Sequence, residues 1–140
     1  MKKGFTLMEL LFVVIIIGVL VSLGLPQFFR AAERARTAEG VRLLGSLRNA
    51  QFRYAAENGT TTGNLNDLDV EFAGLKYFNT PTVISGVNPR DPNQQNSNIA
   101  SIQRNTYQNS GFGSYTLYIQ VDGDITCSGG TTNTCRKLGF

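Results

Sequence analysis

The 140 residues contain no histidine and no tryptophan, only two cysteines, Cys127 and Cys135, and four prolines. Lack of histidine removes the side chain most often used as a general acid or base and as a metal ligand near neutral pH. Two cysteines do not complete a metal-ligand set, and no glycine-rich phosphate loop occurs. The inventory therefore argues against an enzyme, and no cofactor or metal is expected. No internal repeat or long low-complexity tract is present. The net charge is +3 with a pI near 9.1, a balance compatible with nucleic acid or anionic lipid that requires neither.

The two cysteines stand close together, separated by a polar Gly/Thr/Asn stretch. An even pair so placed suggests a disulfide in preference to free thiols or half a metal site. Closing that short loop is worth roughly 2.5 kcal/mol on the chain-entropy model, and such bonds persist in oxidising compartments. The head that carries them is expected outside the cytoplasm.

What is present is concentrated at the start. After Met1-Lys2-Lys3-Gly4, residues 5–25 form an apolar run with one ionisable side chain, Glu9. As a helix that run spans roughly 31 Å, close to the ~30 Å hydrocarbon core of a bilayer. A central acidic residue costs on the order of 3 kcal/mol, whereas each Leu, Ile, Val or Phe returns roughly 0.3–0.6, so the run inserts despite its carboxylate. A removable secretory signal would be shorter and would end in small residues. An intramembrane carboxylate marks a functional position, and an α-amino group exposed by cleavage nearby is its natural partner.

Gly4-Phe5-Thr6-Leu7-Met8-Glu9-Leu10-Leu11, followed by an unbroken apolar helix, resembles the processing site of type IV prepilins and the related pseudopilins of type II secretion. The resemblance is close over the leader and first helix and looser over the head. It implies cleavage between Gly4 and Phe5 by a prepilin peptidase, N-methylation of Phe5, and polymerisation through the N-terminal helix with Glu9 setting the register. The implied partners are other copies of the chain, the peptidase/methylase, the inner membrane before assembly and the pilus assembly machinery. The product would be an extracellular filament for motility, adhesion or DNA uptake; a type II secretion pseudopilin is the alternative.

The positive-inside rule weighs Lys2 and Lys3 against Arg30, Arg34, Arg36 and Arg42 and by itself favours a cytoplasmic head. Those arginines alternate with Glu33 and Glu39 as on a helix surface, so the cleavage motif and the cysteines outweigh the rule. Between Gly18 and Pro26 the composition is weak helix, and Pro26 removes a donor to Ser22, so a kink or break is expected. In the resembled family the corresponding segment unwinds in the filament.

The expected fold is α+β: a long kinked N-terminal helix, half membrane and half amphipathic, packed on an antiparallel sheet with a C-terminal disulfide loop. The expected organisation is leader 1–4, filament-core helix 5–26 and head 27–140. The head divides into amphipathic helix 27–57, connecting loops and short strands 58–113, and sheet with disulfide loop 114–140. Ala31, Ala35, Ala38, Val41, Leu44, Leu47, Ala50 and Tyr54 recur at helical spacing and form the predicted buried face. Asn58-Gly59 is a helix stop, and Asn58-Gly59-Thr60 also fits a glycosylation sequon. Strands are predicted over 72–78, 82–86 and 114–121, with an Asp122-Gly123 hairpin into residues 125–127 and residues 135–140 returning to the sheet. Residues 88–98 read as an exposed loop. Asp122 and Asp124 fit a turn better than a calcium site. Nucleic acid would have to engage the arginine-rich helix or Lys76, Arg90, Arg104, Arg136 and Lys137.

Overall fold

The computed structural model describes residues 4–71, 74–105 and 111–140. It divides into two compact units, Met1–Ala32 and Glu33–Phe140, and helix α1, Leu7–Asn58, contributes to both. The leader residues Met1, Lys2 and Lys3 lie outside the described residues.

In the second unit, α1 is followed by strands β1 (Thr82–Val83), β2 (Asn98–Gln103), β3 (Tyr115–Gln120) and β4 (Ile125–Gly129), and by the short helix α2 (Thr134–Leu138). The strands form an antiparallel meander in the order β1-β2-β3-β4. The long helix, antiparallel sheet and C-terminal disulfide expected from sequence are thus present. Tyr115, Leu117 and Ile119 alternate inward on β3 and meet Leu44, Leu47 and Ala50 of α1 with Ile99, Ala100 and Ile102 of β2 in one apolar core. Burying each such Leu or Ile contributes roughly 1.5–3 kcal/mol, which holds this half of α1 on the sheet.

Asn58-Gly59 ends α1 as predicted: Gly59 takes φ +84° and its amide donates to Ala55 O at 2.8 Å. Over residues 41–54 the predicted face is correct in outline, with Leu44, Leu47 and Ala50 buried and Val41 and Tyr54 packed at its margin. Earlier it is wrong. Ala31, Ala35 and Ala38 are exposed, while Glu33, Thr37 and Gly40 are buried. Hydrophobic periodicity could not see this, because the contact there is made by paired polar groups and by a glycine.

Strand β2 lies in the middle of the sheet and was not predicted. Its register slips between Asn98 and Ala100, so Ile99 and Ala100 are buried in succession and the alternation that marks a strand is lost. The 82–86 prediction is too long. Gly86, at φ +81°, turns the chain so that Gly86 N donates to Thr61 O at 3.2 Å and Thr61 N to Val87 O at 2.8 Å, away from the sheet. Of the predicted strand 72–78, Phe72 and Ala73 lie outside the described residues, and only Phe78 makes a bridge, to Arg104. The amides of Lys76 and Tyr77 donate instead to the Glu39 carboxylate at 3.0 and 3.3 Å. A side chain thereby takes the hydrogen bonds that a neighbouring strand would need.

The β3–β4 turn holds three residues rather than two, 121–123, inside the closing Gln120–Asp124 pair: Gly123 N donates to Gln120 O at 3.1 Å, Gln120 N donates to Asp124 O at 2.9 Å, and Gly123 sits at φ +102°. Asp122 Oδ1 accepts from Asp124 N at 3.0 Å, the turn role preferred over calcium. The C-terminal residues return to the sheet as expected, and residues 134–138 do so as helix α2. The Cys127–Cys135 disulfide ties α2 to β4, and Leu138 is buried in the core.

Candidate assembly site

In the first unit the apolar side chains of α1 have nothing covering them. Phe5 is 78% and Leu7 88% exposed, and Phe12, Ile15, Leu20 and Leu23 are exposed in turn around the helix. The segment is long and apolar enough to cross a membrane. An exposed apolar surface of this extent is unstable in water and marks a lipid or protein contact.

Glu9 is the single charge within it, and its surroundings explain how the helix begins. Thr6 precedes the first helical residue, Leu7, and Glu9 is the third residue of the first turn. Glu9 N donates to Thr6 Oγ1 at 3.2 Å, while Glu9 Oε2 accepts from Thr6 N at 2.9 Å and from Thr6 Oγ1 at 3.0 Å. This is a reciprocal capping box, which satisfies backbone donors that would otherwise be unpaired at a helix start. The spacing Thr-x-x-Glu ahead of an apolar run is the sequence signal for this cap. Gly4 and Phe5 lie exposed just before the helix. The nitrogen of Phe5 is here a backbone amide without charge.

Gly18 and Pro26 both lie inside α1, which continues through them without a break. Pro26 has no amide to offer Ser22 O, and the Ser22 hydroxyl folds back on Val19 O at 2.8 Å. A Cβ at Gly18 would meet nothing within 4 Å. This stretch is helical and lacks one backbone hydrogen bond, at Pro26.

The second unit contains a buried ionic cluster that sequence reading missed. Arg104 Nε donates to Glu33 Oε1 at 2.7 Å, Arg36 donates to Glu33 Oε2 at 3.1 Å, and the Tyr115 hydroxyl donates to Glu33 Oε1 at 3.1 Å. Thr37 Oγ1 lies 2.9 Å from the same hydroxyl. The remaining Arg104 donors reach Tyr77 O at 2.8 Å and Asn105 O at 3.1 Å. Burial opposes ionisation of Glu33, but the Arg104 hydrogen bond and charge, with Arg36 and Tyr115, outweigh it and hold the carboxyl below its ordinary range. Burial and the Glu33 charge push the Tyr115 hydroxyl up to about 12. Arg104, 1% exposed, is consequently unavailable to nucleic acid, unlike Lys76, Arg90, Arg136 and Lys137.

Residues 1–25 match the family model described as the prokaryotic N-terminal methylation motif. The chain is 33% identical over 101 residues to the type IV major fimbrial protein FimA of Dichelobacter nodosus, covering 66% of this chain and 62% of that protein. It is 33% identical over 91 residues to a fimbrial protein of Neisseria meningitidis serogroup B, covering 62% of this chain and 53% of the relative. Over 67 residues it is 33% identical to the type IV major pilin protein PilA of Myxococcus xanthus, covering 48% and 30% respectively. The chain thus spans less than two thirds of the length of these relatives. No solved structure is significantly similar to it.

Proposed function

We propose that this chain, a type IV pilin by its N-terminal motif and its relatives, is a structural subunit of a type IV pilus. The observation that carries this reading is the fully exposed apolar start of α1, which places one carboxylate, Glu9, in the segment that must be covered by lipid or by other copies.

In this account the leader is cut between Gly4 and Phe5 and the new amino group of Phe5 is methylated. Before cleavage the Glu9 carboxylate has only Thr6 as its partner. Afterwards a cationic terminus lies four residues away in the same chain, and the same terminus is offered by each neighbour. A buried carboxylate lacking a counter-charge costs several kcal/mol, so pairing across copies favours one axial offset even where its net gain is small. The subunit waits in the inner membrane with its head outside the cytoplasm, where the Cys127–Cys135 bond is stable. Assembly machinery then transfers it to an extracellular filament used for motility, adhesion or DNA uptake. Loosening between Gly18 and Pro26 accommodates the helices in the filament core.

Intact-mass analysis of the chain recovered from sheared surface filaments tests the reading. The expected mass lacks Met1 to Gly4 and carries one methyl group on Phe5. Recovery of the uncut chain in filaments, or absence of the chain from them, overturns it.

A further inference from the structure

The charges of the second unit are sorted along α1, and the hydrogen bonds show how. Arg34 donates to Lys137 O at 3.0 Å, which sets α2 with Arg136 and Lys137 beside the first head turns of the helix. Lys76 joins the same end through the bond of its amide to Glu39. At the other end Arg48 Nε donates to Val121 O at 2.9 Å and places the Asp122–Asp124 turn beside the later turns. Arg53 pairs with Asp69 there. The loop carrying Arg90 and Asp91 folds against Phe52 and Ala55, and Asp67 shares a shallow cleft with Glu57. Arg34 and Arg53 are roughly 28 Å apart along a helix rising 1.5 Å per residue.

Once the buried Glu33–Arg104 pair is set aside, Glu39 is the carboxylate that hydrogen bonds place at the near end, and its oxygens are engaged by the amides of Lys76 and Tyr77. At the far end acidic side chains outnumber arginines. Among the described residues the only ion pairs are Arg36–Glu33, Arg53–Asp69 and Arg104–Glu33. Exposed Arg34, Arg136 and Lys137 therefore form no ion pair at one end, and exposed Asp122 and Asp124 form none at the other, where the Arg48 guanidinium packs on Gly123 and is engaged by Val121 O.

We propose that these two ends are the two halves of a contact between copies, with the Asp122/Asp124 turn of one head docking on the Arg34/Arg136/Lys137 surface of the next. This rests on the pilus reading and specifies its head-to-head contact. An anionic lipid surface or a nucleic acid would account for the basic end and leave the acidic end without a role; a second copy accounts for both. Because the two halves differ, the contact is heterologous, and repetition generates an open polar filament instead of closing a pair. Complementary charge of this kind contributes direction and register more than affinity, and wrong pairings of like ends are penalised.

The test is charge exchange in the full-length chain, read as filament yield per membrane-resident subunit. R136E/K137E and D122K/D124K are each expected to lower the yield at least tenfold, and the four substitutions together to restore at least half of it. Unchanged yield in either reversed pair, or no recovery in the combined chain, overturns the proposal. Loss confined to the basic-end reversal also overturns it and assigns that end to another anion, such as a lipid headgroup. Where a reversed chain does not accumulate, R136Q/K137Q and D122N/D124N answer the same question, with yield halved or lower expected and unchanged yield overturning. Filaments from the unsubstituted chain are the reference. If those do not form, the pilus reading itself fails, which separates the two outcomes.

Discussion

Arg104 and Glu33 are 71 residues apart in sequence and 2.7 Å apart in the head, and both are almost wholly shielded from solvent. Their pairing fixes α1 against the end of β2 at the level where the helix offers little apolar surface. Arg104 also holds the carbonyls of Tyr77 and Asn105, so one guanidinium fastens the helix, the loop before β1 and the residues after β2.

Replacing Arg104 with Met should destabilise the head by about 3 kcal/mol, because Glu33 would remain buried with only the half-buried Arg36 as counter-charge. Introducing Glu33→Met in the same chain should recover much of the loss. Denaturant unfolding of the detergent-solubilised chain, followed by circular dichroism, measures both.

Stability should fall at both extremes of pH for separate reasons. Glu33 is held below its ordinary range, so its contribution is complete above the unfolded value and is lost as pH falls through the folded one. Tyr115 is raised to about 12, so its contribution is present below about 10 and disappears as pH rises from there towards 12. The alkaline loss should be on the order of 2 to 3 kcal/mol and absent in Tyr115→Phe. Unfolding curves between pH 9 and 12 for the two chains decide this.

Gly40→Ala should lower stability by about 1–3 kcal/mol. A methyl group at this position would stand 2.9 Å from Phe78 Cζ, and the ring is itself set edge-on to Tyr115 with centroids 6.2 Å apart. Phe78→Leu in the Gly40→Ala background should be less damaging than the sum of the two changes. A double-mutant cycle of thermal midpoints provides the comparison.

Thr6→Val should weaken the start of α1 by about 1 kcal/mol by removing the hydroxyl that exchanges hydrogen bonds with Glu9. Thr6→Ser should preserve it. Amide hydrogen exchange at residues 6–9 in detergent micelles distinguishes the variants, with faster exchange expected only for valine.

The parts of this molecule legible in the sequence are those governed by one-dimensional patterns. The 5–25 run, Asn58-Gly59, the alternation of Tyr115, Leu117 and Ile119, and the paired cysteines each announce their structure locally. Strand β2 did not, because the slip at Asn98 and Ala100 breaks its period. The face containing Glu33, Thr37 and Gly40 did not either, since its burial depends on Arg104, Tyr115 and Phe78, which arrive from distant parts of the chain. At the candidate assembly site the residue types were legible, and the exchange between Thr6 and Glu9 was available in their spacing.

The borders of the sheet bear on what kind of polymer these heads can make. Strand β1 has only two residues, and β4 is tethered to a helix by the Cys127–Cys135 bond. Neither margin offers a long run of free amides and carbonyls for another strand to zip onto. Edge-to-edge stacking of the amyloid kind is thereby disfavoured, and contacts between heads fall to side chains and helices.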